Sequence, residues 1–279
     1  MLDEYSRYYS DASKLFSGYA SSFSGAGFHA QSQALEVFCM MTISLCESQA
    51  RAVSVLLAND CAVEPIIIIR SFFEVFCDFY WISQVSEISE QVERVFKLEG
   101  TPLREIAKEL QIIERDVKGP KPYWRKKDYE QLKELLENTA RRCPWLLNQP
   151  SPRPLDFKHA PDLASRIGPE IRLRFYHLYR FSSAFTHPTP MMKGVFLHES
   201  GSALSRNEII EEPLQQFLAY GLWFLKLIFE FCQKVLSPYD TERAALRAQY
   251  YDSLCSIAEK GRKNYFSFRE PEGGDAPPH

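Results

Sequence analysis

Arg180 and His187 stand seven residues apart in the run RFYHLYRFSSAFTHPTP at 174–190. At about 100° per residue this is nearly two turns, so a helix puts both side chains on one face with Ser183 between them. Pro188 and Pro190 stop such a helix near His187. Its imidazole then stands among unpaired carbonyls of a helix C-terminus, which favour the protonated ring and let it titrate near neutral pH. With an arginine to carry charge building on phosphoryl oxygens, such a histidine can serve as general base or acid while an RNA 2′-hydroxyl attacks the adjacent phosphate. That chemistry needs no metal. Tyr179, Ser183 and Thr186 are candidates for orienting hydrogen bonds, and local packing or backbone bonding accounts for them equally well. A helix-capping histidine beside an unrelated, salt-bridged arginine is the alternative for the pair itself.

A second constellation lies in AVEPIIIIRSFFEVFCDFYWI at 62–82, where Arg70, Glu74 and Asp78 fall at i, i+4 and i+8. The spacing puts all three on one stripe of an otherwise apolar helix, where an arginine and two acids must pair to be tolerated. Glu47 and Arg51 repeat the acid–base spacing and are candidates for the same stripe. Two readings follow: a structural ion network, or support for a polar site between helices. Third, KGPKPYWRKK at 118–127 combines Lys118, Lys121, Arg125, Lys126 and Lys127 with Tyr123 and Trp124. This mixture can neutralise phosphates and stack bases, so Lys121, Tyr123, Trp124, Arg125, Lys126 and Lys127 are the candidate RNA contacts. A solvated charged loop with its aromatics packed on the protein accounts for the same residues. Arg141 and Arg142 are candidates to extend the patch.

These residues need helices to position them. Apolar residues recur at helical spacing through most of the first 115 positions, and no segment sustains two-residue alternation, so the expected class is all-α. Helices are expected at roughly 2–22, 30–58, 62–84, 86–98, 101–117, 126–142, 168–187, 206–236 and 240–262. Asn59 and Asp60 close the second, and Pro65 suits the first turn of the third, giving an antiparallel hairpin. Ser205 and Glu208 have capping-box spacing, Asp240 is a candidate cap, and Pro213 marks a kink or a helix start. The reading is a multi-helix bundle forming one domain over 1–264, with loop-rich excursions at 118–128 and 143–163 and a polar, disordered tail at 265–279.

The spacing R-x(6)-H at the end of a late helix in an all-α bundle resembles the R-x(4–6)-H signature of HEPN domains. The stretch from Ala50 to Ile82, with its RSFFE, and YRFSSAFTHP together also resemble an uncharacterised bacterial family that pairs such a helix with a later Ser/His helix. The HEPN resemblance implies a HEPN-like core, a ribonuclease acting as a toxin or in abortive infection and phage defence, catalytic Arg180 and His187, and a homodimer in which two such helices face each other. It also implies an antitoxin or defence-system partner. Phe181 follows the arginine where catalytic HEPN motifs usually carry a polar residue. Helical side chains also lean towards the N-terminus, so Arg180 points away from His187, and a second copy supplies the convergence, as the resemblance implies.

Composition narrows the remaining classes. With 33 Lys plus Arg against 36 Asp plus Glu, the net charge of -3 argues against coating nucleic acid by bulk electrostatics and leaves room for a local basic site. Seven cysteines, at 39, 46, 61, 77, 143, 232 and 255, include no C-x-x-C pair, and several sit in apolar helical runs, as reduced core cysteines of a cytoplasmic protein do. The opening MLDEYSRYYSDASKLF lacks the pattern of a signal or transit peptide, and Arg70, Lys226 and Glu230 interrupt or close the most lipid-like segments. His198 with Glu199 makes a poor metal signature, and His29, His159 and His177 lack partners at informative spacing. No phosphate-loop, serine-hydrolase or dinucleotide fingerprint is present, and neither paired E-x-x-H motifs nor any metal or cofactor is expected. The alternative to a ribonuclease is a non-enzymatic helical module, in which Arg70, Glu74 and Asp78 fix a core and the basic excursion binds a partner.

Overall fold

The computed structural model describes residues 2–22, 32–61, 63–119, 123–148, 155–186, 211–236 and 244–269. Among these the chain forms nine α-helices and one short 3-10 turn, with a single isolated bridge, Leu147 to Phe157, and no strand. The helices are α1 (Leu2–Ser21), α2 (Gln33–Ala58), α3 (Val63–Ser83), α4 (Ile88–Val117), α5 (Lys126–Arg142), α6 (Leu163–Arg166), α7 (Pro169–Thr186), α8 (Glu211–Leu236) and α9 (Ala244–Arg269). The all-α class expected from periodicity is the class observed. Two compact units divide the chain, one of 1–80 with 167–279 and the other of 81–166.

In the first unit apolar spacing translates directly into burial. Tyr5, Tyr9, Ala12, Phe16 and Tyr19 recur every three or four residues on α1 and are fully buried. Tyr9 donates its hydroxyl to the Leu218 carbonyl of α8 at 2.8 Å, and Tyr5 donates to Gly261 of α9 at the same distance. These bonds satisfy polar atoms that burial would otherwise penalise. On α3, Phe73 and Phe76 meet Phe224 of α8, and Phe79 meets Phe231, with ring centroids 4.7 to 5.4 Å apart. Phe38 near the start of α2 also meets Phe79 near the end of α3, as an antiparallel pair requires. At the end of α2, Asp60 takes a left-handed φ of 56° and the Cys61 amide reaches back to Leu56 at 2.9 Å. Pro65 lies in the first turn of α3. Cys39, Cys46, Cys77 and Cys232 are buried, and all seven cysteines are free thiols. No helix among the described residues is long and apolar enough to cross a membrane.

The second unit packs α4 and α5 around Ala107, Leu110, Leu136, Leu146 and Phe157. Here the structure corrects the expected break between helices at 86–98 and 101–117: α4 runs unbroken through Pro102. Proline deprives the helix of one amide, but neighbouring contacts hold the turn. The Thr101 hydroxyl donates to Lys97 O at 2.7 Å and accepts the Ala160 amide at 2.8 Å. Gly100 lies so close to the Lys158 carbonyl that a Cβ there would collide with it. A second correction concerns the end of the chain, where α9 continues past Arg262 to Arg269 because Tyr265 is buried and still packs. Ser205, Glu208 and Asp240 lie outside the described residues, and Pro213 lies in the first turn of α8 as described.

Candidate functional site

Two faces of α7 set the site. Phe175 is buried against Trp223, Tyr220 and Phe224 of α8 at 5.1, 5.3 and 5.5 Å between ring centroids, which fixes the rotation of the helix. Leu173, 83% exposed, and Arg180 therefore lie on the solvent side, and their seven-residue separation aligns them on one face. Arg180 makes no ion pair or hydrogen bond among the described residues. The helix is described as far as Thr186. His187 follows directly but, with Lys121, His198 and Glu199, lies outside the described residues, as does the side chain of Thr186.

Next to Arg180, Tyr179 is tied to α3. The Arg70 guanidinium donates through Nε to Glu74 Oε1 at 3.0 Å and through Nη2 to the Tyr179 hydroxyl at 3.1 Å. Its central carbon is 4.6 Å from the centre of the tyrosine ring. This is a charge-assisted bond plus a cation–π contact between elements 109 residues apart in sequence. The structure thus brings Arg70, Glu74 and Tyr179 together, with Asp78 half-buried on the same stripe of α3. The stripe is less buried than its apolar sequence suggests: the Arg70 side chain is 18% exposed and that of Glu74 42%. The reason is that Ile66, Ile69, Phe72, Phe73, Phe76 and Phe79 take the buried faces of the helix. Glu47 does not join the stripe; it accepts from Ser13 of α1 and pairs with Arg51 at 3.6 Å. Ser183, expected to orient a substrate, donates its hydroxyl to Tyr179 O at 2.7 Å, beside Ser182 at 2.9 Å.

The basic excursion, in the second unit, departs from the alternative of a solvated loop with its aromatics packed on the protein. Its aromatics are not packed on the protein: Tyr123 is 89% exposed and Trp124 43%. Asp116 holds them out by accepting both backbone amides at 2.9 and 2.8 Å. Its cations are largely answered by local acids. Arg125 grips Asp128 through two bonds of 2.7 and 2.8 Å, Lys118 pairs with Glu114 and Lys126 with Glu130. The guanidinium of Arg125 accordingly holds Asp128 below the usual carboxylate range. Lys127 stays exposed, as do Arg141 and Arg142. Among the described residues no cluster of three or more His, Cys, Asp or Glu side chains is arranged to hold a metal ion.

What sequence reasoning missed is the partner of Arg70, because nothing in the spacing within α3 points to a tyrosine on α7. It also missed the residues facing α9 on α8, where the signal was Lys226 in the middle of an apolar run.

A family model described as a family of unknown function, DUF5677, matches residues 36–203, more than half of the chain. The matched stretch includes α3 and α7, and so both Arg70 and Arg180. No curated protein and no solved structure matches.

Proposed function

We propose that this chain, which belongs to the DUF5677 family of unknown function, is a metal-independent endoribonuclease whose reacting groups are Arg180 and His187. The observation that carries the reading is Arg180 itself: an exposed cation without an ionic partner among the described residues, on a helix described as far as Thr186, the residue before His187. Most arginines with an acid nearby are committed to it, as Arg125 and Arg262 are here. An uncommitted one beside a tethered Tyr179 is available to an oxyanion. In the proposed reaction His187 accepts the 2′-hydroxyl proton, the 2′-oxygen attacks phosphorus, and the 5′-oxygen leaves with a proton, giving a 2′,3′-cyclic phosphate. Arg180 stabilises the extra charge on the phosphoryl oxygens.

Leu173 supports a homodimer. A leucine 83% exposed on the face that carries Arg180 is suited to bury itself against the same helix of a second copy. In the dimer the arginine of one copy meets the histidine of the other. The role as a toxin or phage-defence effector in the cytoplasm, held in check by an antitoxin or defence-system partner, follows from the HEPN resemblance. The displayed Tyr123 and Trp124 suit base stacking on an RNA strand.

The test is digestion of mixed cellular RNA in EDTA by wild type, His187→Ala, Arg180→Ala and Leu173→Glu proteins of verified helicity. Cleavage by wild type, lost in the first two variants and weakened in a monomeric third, is expected. Equal cleavage by wild type and His187→Ala, or none by either, sinks the proposal. The Arg70–Glu74–Tyr179 tether favours a second reading, a non-enzymatic helical module in which these residues fix the fold and the basic excursion recruits the partner. That reading expects intact RNA in every tube, and capture of a partner that depends on Tyr123 and Trp124.

A further inference from the structure

Outside the α7 face, the first unit holds a cavity of about 340 Å³ between α7, α8 and α9. Its walls come from two helical stripes: Ala219, Tyr220, Trp223 and Lys226 on α8, and Cys255, Ala258, Glu259, Arg262 and Tyr265 on α9, with Phe175 of α7 closing one side. The spacings i, i+1, i+4 and i+7 on α8, and i, i+3, i+4, i+7 and i+10 on α9, set each group on one side of its helix. Small side chains make the space: Ala219 and Ala258 stand where a larger residue would fill it. Aromatic groups line it, and Phe175 and Trp223 are nearly parallel, with an interplanar angle of 29°. The charges do not cancel. Arg262 is committed to Glu259 by two bonds of 3.1 and 2.9 Å, so the pair is neutral. Lys226 has no hydrogen bond or ion pair among the described residues, its charge acts on Glu259 only at longer range, and it stays half-buried in the lining. The net charge of the lining is therefore positive by one.

We infer that this cavity is a binding site for a small planar aromatic anion, such as an aromatic carboxylate, sulfonate or phosphate. The ring lies against Phe175, Tyr220 and Trp223, and the anionic group meets Lys226. An aromatic ring gains dispersion and apolar burial from such walls. The anion gains a charge-assisted bond in a partly desolvated place, where a lone ammonium has most to offer.

The test uses two probes that differ by one group, 1-anilinonaphthalene-8-sulfonate and the uncharged N-phenyl-1-naphthylamine, titrated into the full chain by fluorescence. One saturable site for the anilinonaphthalenesulfonate is expected in wild type. Lys226→Gln should weaken it about tenfold and leave the uncharged probe unchanged, the size of one charge-assisted contact. Ala258→Trp should fill the cavity and abolish binding of both. Helical circular dichroism checks that the variants are folded, and Lys226→Gln carries the test alone if Ala258→Trp does not fold. Absence of saturable binding in wild type, or an equal loss of both probes in Lys226→Gln, overturns the assignment. RNA cleavage plays no part in either readout, so the fate of the ribonuclease proposal is separate.

Discussion

At Gly221, α8 closely approaches Tyr9 of α1 and Ile69 of α3. A Cβ at this position would fall far inside van der Waals contact with the Tyr9 hydroxyl and stand 3.0 and 3.1 Å from two side-chain carbons of Ile69. Tyr9 cannot withdraw, because it is fully buried, donates to Leu218 O and stacks on Phe72 with centroids 6.4 Å apart. Burial pushes its phenol well above the ordinary range, so it remains a neutral donor at any working pH. Replacing Gly221 by alanine gains about 1 kcal/mol of helix propensity. Against this, overpacking costs about 1–3 kcal/mol and a displaced, unsatisfied hydroxyl about 1–3 kcal/mol more. The expected net loss is about 3 kcal/mol. Tyr9→Phe alone removes the bond while Leu218 stays in its helix, so it should cost about 1 kcal/mol. In the double variant the colliding oxygen is gone and the alanine methyl enters the space it leaves. The propensity gain of about 1 kcal/mol is then set only against the remaining close contacts with Ile69. The double variant should therefore match or slightly exceed Tyr9→Phe in stability, a coupling of about 3–4 kcal/mol between the sites. Urea unfolding of the four proteins, followed by helical circular dichroism, measures it. If Gly221→Ala costs the same with and without the Tyr9 hydroxyl, that oxygen does not fill the notch and the reasoning fails.

In the second unit, Gly100→Ala sets a methyl against the backbone carbonyl of Lys158 rather than a movable side chain. It should destabilise the unit by about 2–4 kcal/mol. Hydrogen exchange should report lost protection at the Lys158 and Ala160 amides, now bonded to Leu146 O and Thr101 Oγ1 at 2.7 and 2.8 Å; unchanged protection would count against the close approach. Tyr179→Phe removes the acceptor of the Arg70 bond but keeps the ring beneath the guanidinium and leaves Glu74 in place. A loss of about 1 kcal/mol is expected in thermal or urea melts, and a loss as large as that from Arg70→Ala would show that the hydroxyl, not the whole cluster, carries the tether. Glu99 on α4 has its carboxyl pushed above the ordinary value by burial. Folding therefore favours its protonated form, and the penalty for ionisation is absent at low pH and complete once the pH exceeds the folded pKa. Glu99→Gln should raise the melting temperature at pH 7, with the gain shrinking as the pH falls through the glutamate range near 4.5; a gain that is equal at pH 4 and pH 7 would exclude this cause.

The helices were legible because burial in this chain follows local period. The three- and four-residue spacing of Tyr5, Tyr9, Ala12, Phe16 and Tyr19 needs no tertiary knowledge to read, and the Asn59-Asp60 stop and Pro65 start mark a boundary chemically. The expected break between 98 and 101 does not form because a tertiary contact overrides local signals: Gly100 and Thr101 are fixed from outside the helix by residues 158–160, far along the chain. The same distance hid the Tyr179 end of the Arg70 tether. Periodicity reports which face of a helix is apolar, and carries no information about which helix will cover it.

The two proposed sites differ in how much of each the sequence could announce, and the difference is physical. Arg180 and His187 stand seven residues apart in sequence, so the common face expected of them follows from residue spacing alone. The cavity beside Lys226 exists only once two stripes on α8 and α9 are brought together, and its charge emerges only when Glu259 is seen to be taken by Arg262. Each cation is therefore best judged by what its neighbours leave uncommitted. By that measure Arg180 and Lys226 are alike: each keeps its charge free of an ion pair among the described residues, one on an exposed helix face and one in an aromatic-walled cavity. Phosphate on a flexible strand suits the open face, where a polymer can pass. A compact ring with one negative charge suits the concave one, where aromatic walls can cover the ring and Lys226 can meet the charge.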